Sequence, residues 1–195
     1  MDIPDELTLE IFDRASLDDL VNLCNTSAYY RGICNREFWE RKFVQNQTFL
    51  LHPQSNPRDW ANELLHSIIS MERARTVFEN FKIESSGHDS ILVYSNSIQS
   101  ADIFPDFLDK KKINSLLLYS RIRHDEENVG GDIRIEDPDN PTFVFEVYTG
   151  LGQTKEYRQS LTDEQALYLV FLFFYYVLKV TDIDGQEIYD ARNYE

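Results

Sequence analysis

The sequence predicts an α+β protein in which a helical module precedes a mainly antiparallel sheet packed on an aromatic-rich helix. Three features carry that expectation. Short helical periods with little glycine fill residues 1–43, period-two alternation takes over from about residue 81, and an apolar helical run at Ala166–Leu178 follows the strands. The expected parts are a module at 1–43, a connector and long linker helix at 44–80, and an α+β domain at 81–195.

In the first part Pro4 suits a first helical turn, with Glu6, Leu7, Glu10, Ile11 and Phe12 following at helical spacing. Ser16 stands where a second helix needs its cap, and Asp18 and Asp19 fall in the first turn, where the helix dipole favours anions. Leu17, Leu20, Leu23 and Cys24 then share one face. A third short helix is expected over Ser27–Cys34 and a fourth over Arg36–Phe43, which carries Phe38, Trp39 and Phe43.

Amides, Pro53 and Ser55 mark the stretch from Gln45 to Asn56 as a connector. Asn56 and Pro57 are cap and first residue of a long helix with the stripe Trp60, Leu64, Leu65, Ile68, Ile69 and Met71; it is expected to reach Phe78 and to act as a rigid spacer. Beyond it, the expected strands are Ser90–Ser95, Asn114–Arg123, Gly131–Glu136 and Thr142–Tyr148. Gly87, Gly130-Gly131 and Asp137-Pro138-Asp139-Asn140-Pro141 separate them. Thr162 and Gln165, three apart, form a capping box ahead of Ala166–Leu178. Ile183-Asp184-Gly185-Gln186 has the composition of a tight hairpin turn. No internal repeat or low-complexity tract is present.

Composition limits the partners. Apolar residues make up 42% of the chain, and 13 Phe with 11 Tyr are enough for a real core. Against 19 basic residues stand 34 acidic ones, a net charge of -15. Such a field repels phosphate backbones and anionic lipid, so nucleic acid and membrane surfaces are not expected partners. The opening Met1-Asp2-Ile3-Pro4-Asp5-Glu6 is acidic where a secretory signal is basic. Ala166–Leu178 falls short of the roughly 20 residues that cross a bilayer. The 2 cysteines, Cys24 and Cys34, are too few for a disulfide scaffold. Inside the helical module they are expected to pack as small apolar side chains, and the compartment to be a reducing one, cytoplasm or nucleus.

Catalytic constellations are absent from the local sequence. His52, His66, His88 and His124 are scattered, with no two at ligand spacing. Gly150-Leu151-Gly152 lacks the rest of a phosphate-binding fingerprint. Asp182-Ile183-Asp184-Gly185 lacks the further oxygen ligands of a calcium loop. His124-Asp125-Glu126-Glu127-Asn128 is expected as a solvated acidic tip, Lys110-Lys111-Lys112 as the end of a helix, and the rings from Tyr168 to Tyr176 as core. No catalytic, metal-ligating or cofactor-binding residue is expected, and no cofactor.

The first 43 residues carry a resemblance. Ile3-Pro4-Asp5-Glu6-Leu7, Glu10-Ile11-Phe12, Leu17-Asp18-Asp19-Leu20-Val21-Asn22-Leu23-Cys24, Tyr29-Tyr30-Arg31-Gly32-Ile33-Cys34 and Glu37-Phe38-Trp39-Glu40-Arg41-Lys42 stand in the order and spacing of an F-box. Where many F-boxes have Cys-Lys-x-Trp, this chain has Cys24-Asn25-Thr26 running into Tyr29-Tyr30-Arg31, a variant that resembles F-boxes of large DNA viruses, whose proteins work in the host cell. The resemblance implies a non-enzymatic adaptor that docks on the Skp subunit of Skp–cullin–F-box ubiquitin ligases, in the ubiquitin-conjugation pathway, while the rest of the chain selects a protein substrate. It also implies that Ile3, Pro4, Leu7, Ile11, Leu17, Leu20 and Leu23 are shared between the module's own core and the Skp-facing surface. Two alternatives stand beside it: a Skp-binding or Skp-sequestering protein that recruits no cullin, and a small-ligand or enzyme domain at 81–195. No family resemblance is found in residues 44–195.

Overall fold

Four short helices open the chain: α1 Asp5–Arg14, α2 Leu17–Thr26, α3 Ala28–Ile33 and α4 Arg36–Gln45. The structure is a computed structural model that describes residues 5–84, 90–94, 101–122, 130–136, 142–149, 154–176, 180–181 and 187–189. Side-chain oxygens of Ser16, Ser27 and Asn35 accept the backbone N–H of Asp19, Tyr30 and Phe38, so each of α2, α3 and α4 starts on its own cap. At the other end of α4, Gln47 has a φ of 51°. Its N–H reaches the Val44 carbonyl and that of Thr48 the Phe43 carbonyl, a helix stop in which glycine is the usual residue. Gln47→Gly should therefore raise stability by about 0.5–1 kcal/mol in urea denaturation.

Helices this short are marginal alone and are held by packing. Phe12, Leu20, Cys24, Phe38, Trp39 and Phe43 form one core with Trp60, Ala61 and Leu64 of the long helix α5, Pro57–Glu84. The indole rings of Trp39 and Trp60 lie parallel, 6.2 Å between centroids. The connector is sewn along α5: Thr48 donates to the Ser67 carbonyl, and Ser67 in turn donates to the Phe49 carbonyl. Helix α5 opens on the expected Asn56 cap and runs past Phe78 to Glu84.

The chain divides into two compact units, Met1–Met71 and Glu72–Glu195, with the boundary inside α5. The first half of this helix completes the core of the first unit. In the second unit, Phe78 stacks on Phe143 at 4.9 Å and Lys82 pairs with Asp163 at 2.8 Å. Both halves are thus built into a unit, so α5 is more than a bare spacer.

The second unit is a six-stranded antiparallel sheet in the order β4-β3-β2-β1-β5-β6. Its strands are β1 Ser90–Tyr94, β2 Gly130–Ile135, β3 Phe143–Thr149, β4 Thr154–Leu161, β5 Val180–Thr181 and β6 Glu187–Tyr189. Strands β5 and β6 pair across the expected hairpin, whose turn residues 182–186 lie outside the described residues. The same holds for the acidic stretch His124–Asn128 and for Gly150–Gly152. Ile133, Ile135, Phe143, Phe145, Val147, Tyr157 and Leu161 are buried, and so are Asp132, Val144 and Glu146 beside them, while helices α6, Lys110–Ile122, and α7, Asp163–Tyr175, pack against β3 and β4. The Thr162–Gln165 capping box is formed, and Phe171, Phe173 and Phe174 are buried, so the aromatic helix is core.

Three expectations are corrected. Asn114–Arg123 is not a strand: residues 114–122 belong to α6, whose buried Ile113 and Leu117 stand four apart. The Asp109 side chain caps this helix by accepting the Lys112 N–H. The lysine run consequently begins a helix instead of ending one. Asp106 offsets part of the unfavourable dipole by pairing with Lys110 at 2.5 Å, a contact that holds its carboxyl below the usual range. Lastly, Cys24 and Cys34 are joined in a disulfide and are not separate thiols, because the C-terminal turn of α2 and the end of α3 bring their Cα atoms to 5.8 Å.

Candidate partner-binding surface

Helix α1 has two faces set by its own period. Thr8 and Phe12, four apart, are buried; Leu7 and Ile11, also four apart, are 52% and 49% exposed. The Phe12 ring meets Tyr30 at 5.5 Å and Phe38 edge-on at 6.0 Å, which fixes the rotation of α1 and turns Leu7 and Ile11 outward. At the C-terminal end of α1, Asp13 anchors the helix to α4. The Lys42 ammonium, itself buried, lies 3.1 Å from the Asp13 carboxylate and donates to the Asp13 carbonyl at 3.0 Å. The Lys42 ammonium and the Arg41 guanidinium also stand over the Phe38 ring, at 5.7 and 5.5 Å.

Between α1 and α2 runs a groove of about 560 Å³ lined by Ile11, Arg14, Ala15, Asp19, Asn22, Leu23 and Thr26. Its apolar members Ile11, Ala15 and Leu23 are flanked by exposed polar groups. Two of these are already oriented: Arg14 pairs with Glu10 at 2.6 Å, and Asp19 accepts the Ser16 hydroxyl at 2.7 Å. A second groove, about 260 Å³, is lined by Leu9, Tyr29, Ile33, Asn35, Glu37, Phe38 and Arg41. An apolar strip inside a polar margin is the anatomy of a protein-binding surface.

The seven residues expected at this surface separate into groups. Leu7 and Ile11 are presented to solvent. Leu17 and Leu23 are half-buried, packed on the edge of the core, and Leu23 also lines the larger groove. Leu20 is 1% exposed and belongs to the core. Ile3 and Pro4 lie outside the described residues. Sequence reasoning missed Ala15, Asn22 and Thr26, although Ala15 follows Ile11 by four, Asn22 follows Asp19 by three and Thr26 follows Asn22 by four, all helical spacings.

Little else in the described residues suggests chemistry. His52 and His66 are exposed, on the connector and on α5, while His88 and His124 lie outside the described residues. Among the described residues no group of three His, Cys, Asp or Glu is arranged to hold a metal, and no helix is long and apolar enough to cross a membrane. In the second unit the Tyr157 hydroxyl accepts the Asp109 N–H at 3.0 Å and donates to Gln159, whose amide donates to the Phe107 carbonyl. Burial pushes this hydroxyl above its ordinary range. The network pins the start of α6 to β4.

Residues 1–45 match the model of the family described as F-box-like. The N-terminal module is an F-box. The match takes in less than a quarter of the chain, and no curated protein and no solved structure matches the sequence. F-boxes generally bind the Skp-type adaptors of ubiquitin ligases. The exposed Leu7 and Ile11 and the groove beside them are features of that F-box.

Proposed function

We propose that the protein is a substrate-recognition subunit of a Skp–cullin–F-box ubiquitin ligase. The F-box holds the chain to the Skp adaptor through Leu7, Ile11, Leu17 and Leu23, together with Ile3 and Pro4. Residues 81–195 hold a protein target. The chain supplies proximity and no bond chemistry: fixing both ends raises the effective concentration of a target lysine beside the charged ubiquitin carrier. The observation that carries the reading is the pair Leu7 and Ile11, left half exposed on a helix whose other face is fully packed. Their position beside an apolar groove suits cover by another polypeptide.

Covering the half of each side chain that remains exposed is worth about 0.8–1.5 kcal/mol, and an aspartate placed there would add the cost of burying a charge. The double variant Leu7→Asp, Ile11→Asp should therefore weaken adaptor binding by roughly a hundredfold or more while leaving the urea midpoint nearly unmoved, since both positions face solvent. Titration calorimetry with purified Skp adaptor measures the first and denaturation the second. An intact, folded chain that fails to bind the adaptor, or a double variant that binds like the parent, ends the reading. Co-purification of cullin with the bound adaptor separates a ligase subunit from a protein that only sequesters Skp.

A further inference from the structure

We propose that Cys24 and Cys34 form a reversible thiol–disulfide clamp that locks α3 onto the end of α2 when oxidised and frees it when a glutathione-type thiol reduces it. Cys24 sits in the last turn of α2, and Cys34 is the residue on which α3 ends. Their Cα atoms are 5.8 Å apart, a common spacing for bonded pairs. Helix α3 has six residues and no fully buried side chain. Its other ties include the Ser27 cap, the Tyr30 ring on Phe12, and the edge packing of Tyr30 and Ile33. A helix of that length does not persist alone, so the covalent tie adds to this packing in holding it on α2. With a separation of 10 residues, loop closure shifts the folded-to-unfolded ratio by roughly a hundredfold.

The chemistry is thiol–disulfide exchange. Cys24 is 0% and Cys34 7% exposed, so attack begins at Cys34 when α3 lifts. A glutathione thiolate attacks the Cys34 sulfur, the bond to Cys24 breaks, and Cys24 departs as a thiolate that takes a proton. A second glutathione thiolate attacks the glutathione sulfur of the mixed disulfide and releases Cys34, which is protonated likewise. Two reagent thiols are oxidised to one disulfide, the protein disulfide is reduced to two thiols, and oxidised glutathione drives the reverse. Disulfides in thiol-rich compartments are mostly transient or sensing, which is why this one is assigned a switching role. Because Tyr29 and Ile33 line the smaller groove, and Leu23 and Thr26 the larger, the clamp reaches both. The switching role rests on the expected reducing compartment and the consequence for docking on the adaptor reading above; the Cys24–Cys34 bond itself rests on neither.

The test equilibrates the full chain in mixtures of reduced and oxidised glutathione, then quenches with acid, alkylates and weighs it. One two-electron transition between unlabelled and doubly labelled protein is expected, with its midpoint at a cellular glutathione poise. Tryptophan-monitored melting should place the oxidised form about 10 °C above the reduced form. Cys24→Ser, Cys34→Ser should melt like the reduced parent and ignore glutathione; if that variant does not fold, the two states of the parent make the same comparison. A pair that stays bonded in reduced glutathione alone, stays reduced in oxidised glutathione alone, or melts equally in both states overturns the clamp. Adaptor binding should be about fivefold or more tighter in the oxidised state. Equal binding overturns the link to docking. Absence of binding in both states sinks the adaptor reading and leaves the glutathione titration to judge the clamp.

Discussion

Trp39→Ala should destabilise the first unit by about 3–5 kcal/mol, among the largest losses any single side chain there would cause. The indole is 0% exposed and is surrounded by rings: Trp60 parallel at 6.2 Å and Phe38 edge-on at 5.4 Å. Removing it takes the middle out of a core assembled from helices that cannot persist alone, so the neighbours have little framework on which to close the cavity. The chain's 2 tryptophans, Trp39 and Trp60, both lie in this core, so Trp60 remains as the reporter of the first unit in the variant. A milder partner sharpens the argument. Trp39 Nε1 is buried with no hydrogen-bond partner among the described residues. Trp39→Phe loses ring volume but also removes that N–H, whose burial costs about 1–3 kcal/mol. Its net cost should therefore be well under half that of alanine. Urea denaturation followed by Trp60 fluorescence measures both, and a loss below about 1 kcal/mol for Trp39→Ala would mean that this core is not centred on Trp39.

The parts of the fold that were legible in the sequence are those fixed by neighbours in the chain. Ser16, Ser27, Asn56 and Thr162 sit next to the turns that they cap, so the helix starts could be read from a few residues each. The F-box was legible for the same reason, since its pattern is a run of local spacings. Where local signals were ambiguous, the reading failed. Leu116-Leu117-Leu118 fits either period, and only the burial of Ile113 and Leu117, with the Asp109 cap, settles it as helix. Strand β4 went unseen because Thr154-Lys155-Glu156-Tyr157-Arg158-Gln159-Ser160-Leu161 is largely polar; it lies at the sheet edge, where charged side chains discourage pairing with further strands. Contacts between distant positions were out of reach altogether. Nothing in the sequence alone says that α2 and α3 bring Cys24 to Cys34. For the candidate surface, periodicity found Leu7 and Ile11 but could not assign Leu20 to the core, because both sets repeat with the same helical spacing.

The sheet holds another such distant contact, and it predicts the second large effect: Arg134→Met should destabilise the second unit by about 3 kcal/mol. Asp132 on β2 and Glu146 on β3 are direct cross-strand partners, 0% and 2% exposed. Carboxylates on facing residues of neighbouring strands repel by roughly 3 kcal/mol at the effective dielectric of such a site. The Arg134 guanidinium answers both, with Nε and Nη2 each 2.8 Å from the same Asp132 oxygen and Nε 3.5 Å from Glu146. Arg158 helps from β4, 3.8 Å from Glu146, while it also pairs with Glu136. Methionine keeps most of the aliphatic length and removes the charge, so two buried carboxylates would lose the cation that pairs with both. The loss falls at the lower end for a broken buried pair because the Arg134 side chain is 41% exposed and Arg158 remains. Arg134→Lys should recover only part of the loss, since an ammonium cannot present a planar fork to the carboxylates. Adding Asp132→Asn and Glu146→Gln to Arg134→Met should return most of it, because the repulsion that the guanidinium offsets is then gone. Both tryptophans lie in the first unit, so the unfolding of the second is followed by far-ultraviolet circular dichroism. Loss of the arginine at under about 0.5 kcal/mol, or a triple variant no better than Arg134→Met, would show that Asp132 and Glu146 are compensated by something other than this guanidinium.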